Sequence, residues 1–65
     1  MSNQPPVDPD AEMQRLRHDL ANPLAALLAE TQLLLLDADR LLPEVESALR
    51  RIETMAVKMR TILRS

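Results

Sequence analysis

Apolar residues recur three or four positions apart along most of the chain, and the pattern breaks once, at Asp37-Ala38-Asp39-Arg40. This spacing follows the 3.6-residue turn of an α-helix and not the two-residue alternation of a strand. Met13, Leu16, Leu20, Leu24, Leu27, Thr31 and Leu34 form one stripe, which predicts a first helix over about residues 10–36, capped by Asp10. At 1.5 Å per residue that helix is about 40 Å long. Beyond the break, Pro43 followed by Glu44 and Glu46 reads as a first helical turn, where proline's missing N–H costs nothing and acids suit the dipole. Val45, Leu49, Ile52, Ala56, Met59 and Leu63 then continue at heptad spacing over a second helix, about 43–64, that ends in Lys58, Arg60 and Arg64. Pro5, Pro6 and Pro9 keep residues 1–10 from joining the pattern, so they are expected to form a flexible leader to a single folded unit, 11–65.

Composition points the same way. The chain has no glycine and no aromatic residue, which favours helices over sheets. The expected fold is therefore all-α, an antiparallel helical hairpin. At 65 residues such a unit is near the limit of what one core can stabilise. With no cysteine and a single histidine, disulfides and structural metal are excluded as supports, which leaves self-association. The leucines at 27, 28 and 33–36 spread around the first helix, and Met55 and Ile62 widen the second, more than a two-helix contact requires. A homodimer, two hairpins joined in a four-helix bundle, is expected. The same faces would also suit docking on another part of a longer protein.

A net charge of −2 gives no footprint for nucleic acid, and no aromatic ring is available to stack on bases. The longest apolar run, the six residues from Leu24 to Ala29, and the leucines from Leu33 to Leu36 are far too short to cross a membrane, and the N-terminus lacks the features of a signal peptide. Neither nucleic acid nor membrane is an expected partner, and the cytoplasm is the expected location.

The one histidine stands in an unusual stretch. Turning 100° per residue sets His18 about 160° from Leu20 and so on the solvent side, with Asn22 one turn further along. Ala21, Ala25, Ala26 and Ala29 keep bulk away from it. An exposed histidine among good helix formers is by itself ordinary surface. Pro23, however, lies inside the periodic pattern, where it removes the hydrogen bond to the carbonyl of residue 19 and should bend the helix beside His18. The stripe continues across it, which favours one bent helix. In the alternative, Asn22 caps a separate helix that begins at Pro23.

The segment His18-Asp19-Leu20-Ala21-Asn22-Pro23-Leu24 resembles the phosphoacceptor box of the dimerisation and phosphoacceptor (HisKA-type) domain of histidine kinases: His, an acid, two variable positions, Asn or Thr, Pro, Leu. Every fixed position matches, and the likeness of a hairpin with a Pro-Glu start to its second helix extends over roughly residues 12–64. The resemblance implies that His18 receives the γ-phosphoryl group of ATP on a neutral ring nitrogen and passes it to an aspartate of a response regulator receiver domain. It implies that Asp19 accepts or stabilises the proton on the other ring nitrogen. Asn22 would align a water for dephosphorylation or position the phosphoryl group, and Pro23 would supply the bend. Arg15 and Arg17, near His18, could favour a phosphate or an acidic partner surface but at this spacing read as solvated helix charges, and Glu46, Arg50, Arg51 and Glu53 on the second helix read as solvent-facing ion pairs.

The resemblance also implies an ATP-binding catalytic domain as a partner, with ATP and Mg²⁺ held there. That domain carries glycine-rich boxes, so a chain without glycine cannot contain it. No cofactor is expected in this chain, which is not an autokinase alone. It is expected to be the phosphoacceptor part of a soluble kinase, with sensing left to other proteins or to segments beyond Ser65; a stand-alone phosphotransfer module is the other possibility. A reading from a different class is a non-catalytic helical-hairpin dimer that acts as a structural or regulatory interaction module.

Overall fold

The computed structural model describes residues 8–65, so the expected leader up to Val7 lies outside the described residues. Helix α1 spans Pro9–Leu35 and α2 spans Pro43–Arg64, joined through a short 3₁₀ turn at Ala38–Arg40 and packed as an antiparallel hairpin. The fold is all-α, and no strand occurs among the described residues.

The start of α1 corrects two expectations. Asp8, not Asp10, is the cap: its carboxylate accepts a hydrogen bond from the backbone N–H of Asp10 at 3.0 Å. Pro9 and Asp10, assigned to the leader, lie in the first turn. The physical reason is that proline breaks a helix only in its interior. In the first turn its fixed φ is already helical and its missing N–H has no partner to lose.

The left-handed cap that many helices end on favours glycine, which this chain lacks, and no described residue has positive φ. The chain tightens instead. The N–H of Leu36 is shared between the carbonyls of Gln32 and Leu33, and Arg40 donates to Asp37 at 2.9 Å within the 3₁₀ turn. Leu42 is extended (φ −61°, ψ 143°), as a residue before proline tends to be, and its carbonyl accepts from Val45 and Glu46 to open α2.

The hairpin's core is small. Leu24, Leu28 and Ala56 are its buried apolar residues, with Val57 and Leu63 packed against them. Ala56 is fully covered because its single methyl lets α1 approach closely. Thr31 is buried too, and its hydroxyl donates to the carbonyl of Leu27 at 2.8 Å, which satisfies it without a partner on α2. The rest of the expected α1 stripe is not buried against α2. Met13, Leu16, Leu20, Leu27 and Leu34 are exposed, as are Val45 and Met59 of the α2 stripe, while Leu49, Ile52 and Leu63 are half-buried. The inward line of α1 runs through Leu24, Leu28, Thr31 and Leu35, and the exposed leucines flank it on one side. On helical geometry, positions 16, 20, 27 and 34 fall some 40–100° from that line, which is why they are left exposed at the edge of the helix–helix contact or beyond it.

Candidate functional site

Every residue from Asp8 to Pro23 is exposed, so the half of α1 that carries His18 is its open half. Of the two arrangements considered for Asn22 and Pro23, the structure has the single helix: α1 passes through both without interruption. Asn22 therefore caps no second helix. Pro23 has no N–H to give, so the carbonyl of Asp19 lacks its usual intrahelical partner one residue after the histidine.

The four candidate residues divide among three surfaces. His18 and Asn22, one turn apart, share a groove of about 350 Å³ between α1 and the end of α2. Asp19 lies outside it, in a shallow depression with Glu12 and Arg15. Its Oδ1 is nonetheless 3.6 Å from Nδ1 of His18, near the histidine but too long for a hydrogen bond. Both side chains are well exposed, at 75% and 67%. Nε2 is thus the ring nitrogen without a carboxylate beside it. Pro23 belongs to neither surface. It lines an apolar depression with Leu20, Leu27, Met59 and Ile62.

The histidine groove also contains three arginines, two of which the sequence did not link to it. Arg17 enters from α1, and Arg60 and Arg64 from α2, whereas no Asp or Glu lines the groove. Among the described residues the ion pairs are His18–Asp19 and Arg50–Glu46, so none of the three guanidinium groups is paired with a carboxylate. Arg60 is moreover half-buried. In the sequence Arg60 and Arg64 read as a basic helix end, and Arg17 as a helix charge that could favour a phosphate but is ordinarily solvated. The signal that finds them is the hairpin register, because folding the chain back near Asp39 brings residue 60 opposite residue 18. Of the ion pairs expected on α2, Arg50–Glu46 forms at 3.0 Å. Glu53 is half-buried and, like Arg51, pairs with no described residue.

Among the described residues no group of three or more His, Asp or Glu side chains could hold a metal ion. No described helix is long and apolar enough to cross a membrane. No protein-family model matches the chain, and no curated protein or solved structure matches it either.

Proposed function

We propose that this chain is the dimerisation and phosphoacceptor domain of a two-component sensor histidine kinase, with His18 as the residue that carries the phosphoryl group. The observation that carries the reading is an exposed imidazole, within His-Asp-Leu-Ala-Asn-Pro-Leu on an open helix face, whose Nδ1 has the Asp19 carboxylate 3.6 Å away. Nε2 attacks the γ-phosphorus of an ATP held by a separate catalytic domain, the N–P bond forms, and the bond to the ADP oxygen breaks. The ring gains positive charge as this happens, and the Asp19 carboxylate stabilises the proton retained on Nδ1. In the second step a carboxylate of a receiver domain attacks the same phosphorus, and the P–N bond breaks to regenerate the imidazole. Asn22 shares the groove of His18 and is assigned to positioning the phosphoryl group or a hydrolytic water. Pro23, on the apolar side, is assigned to shaping α1.

The proposed assembly is a homodimer. One hairpin buries three apolar residues and leaves Leu16, Leu20, Leu27, Met55, Met59 and Ile62 exposed. The depression between the helices on this flank is lined by apolar residues alone. A second copy related by a two-fold axis would meet this face with an identical one and complete a four-helix bundle. The cytoplasm, where ATP is abundant, is the proposed location.

To test the reading, the chain is mixed with the ATP-binding domain of a histidine kinase and γ-labelled ATP. Acid-labile, alkali-stable label is expected on the wild type and none on His18→Ala. An unlabelled wild type, or label that survives the substitution, contradicts it. The second reading, a non-catalytic dimer, draws on the apolar flank alone and predicts no label on either protein.

A further inference from the structure

The groove around His18 gathers three of the chain's eight Lys and Arg residues and no acid, although the chain as a whole is acidic. Like charges brought together in this way repel, and no carboxylate pairs with any of them among the described residues. The dipole of α2 favours cations in its last turn, which accounts for Arg64. It does not account for Arg17, which comes from the other helix, or for the partial burial of an unpaired Arg60. Three guanidinium groups that line one groove with no carboxylate among them lack a counterion, so the groove suits an anion. Ala21 and Ala25, also in the lining, leave the space beside the imidazole open.

From these features we propose that Arg17, Arg60 and Arg64 form a cradle for the phosphoryl oxygens at Nε2 of His18, with α2 supplying two of its three guanidinium groups. The inference rests on the reading that His18 receives a phosphoryl group, and it adds which residues hold that group. A phosphoryl dianion offers three oxygens, and guanidinium forks match such oxygens with charge-assisted hydrogen bonds. Because the groove spans both helices, the phosphorylated histidine ties the end of α2 to α1. Unphosphorylated, the same three cations repel.

The test uses phosphoramidate, a small phosphodonor that needs neither kinase nor ATP. Nε2 of His18 forms the new bond to phosphorus, the bond from phosphorus to nitrogen in the donor breaks, and ammonia leaves while the ring keeps its proton on Nδ1. The full chain and the pair Arg60→Gln/Arg64→Gln are loaded in this way, and the ³¹P shift of each phosphohistidine is followed against pH. In the wild type the cradle favours the dianion, so the midpoint is expected lower than in the glutamine pair by about half a pH unit or more. The Arg60→Lys/Arg64→Lys pair should recover part of that difference. Arg17→Gln, on the exposed face of α1, gives an independent variant if the α2 pair loses helicity. Equal midpoints in wild type and glutamine variants would overturn the cradle, as would a wild type that takes no phosphoryl group from phosphoramidate. A chain that shows the expected midpoints yet takes no label from ATP through a kinase domain would keep the cradle and remove the kinase reading.

Discussion

At the scale of single residues, the distinction that matters is between the two nitrogens of His18. The Asp19 carboxylate lies 3.6 Å from Nδ1, and in the proposed mechanism Nδ1 keeps the proton while Nε2 acts as the nucleophile. Asp19→Asn keeps the shape and removes the charge that stabilises the developing cation. The initial rate of phosphorylation from ATP is expected to fall about 100-fold, with helicity unchanged because the side chain is exposed. An unchanged rate would make Asp19 an ordinary surface acid. The box of His18, Asp19, Asn22 and Pro23 is legible as a string because its members are neighbours in sequence. Arg60 and Arg64 are not, since their relation to His18 passes through the antiparallel register of two helices. Nor does the string reveal that Pro23 turns to the apolar flank while His18 and Asn22 turn to the basic groove.

At the scale of the elements, both helices and the break between them follow from hydrophobic spacing and from Pro43. The inward line of α1 does not. Leu24, Leu27 and Leu28 offer adjacent lines of nearly equal apolar content, and the small Ala56 on α2 decides between them by admitting Leu24 and Leu28. The start of α1 is also hard to read: Asp10 is expected as the cap, but Asp8 and Asp10 bracket a proline, and only capping by Asp8 puts that proline in the first turn. A pair of substitutions tests the packing. Leu28→Ala removes a buried side chain and is expected to destabilise the fold by about 2 kcal/mol or more, a large fraction of what so small a unit has. Leu33→Ala, at a position 59% exposed, should stay within about 0.5 kcal/mol. Denaturant midpoints of the two variants check this, and equal losses would contradict the inward line.

At the scale of the whole molecule, a hairpin has two broad sides with opposite chemistry. One is apolar, with Leu20, Leu27, Met59 and Ile62; the other is basic and holds His18. In the proposed bundle the apolar sides meet and both histidine grooves face outward, open to a catalytic or receiver domain. The wild type is expected to sediment as a dimer at micromolar concentration, with a melting temperature that rises with concentration. Leu20→Glu/Leu27→Glu should sediment as a monomer. A wild type that sediments as a folded monomer would contradict the bundle. The proposed function turns on where a phosphoryl group goes. Its most direct measurement is to label the chain from ATP through a histidine-kinase catalytic domain and map the label by peptide fragmentation in mild alkali. A single phosphoryl group on Nε2 of His18, discharged by an added receiver domain, is the predicted result; label on a serine, threonine or carboxylate, or none at all, would contradict it.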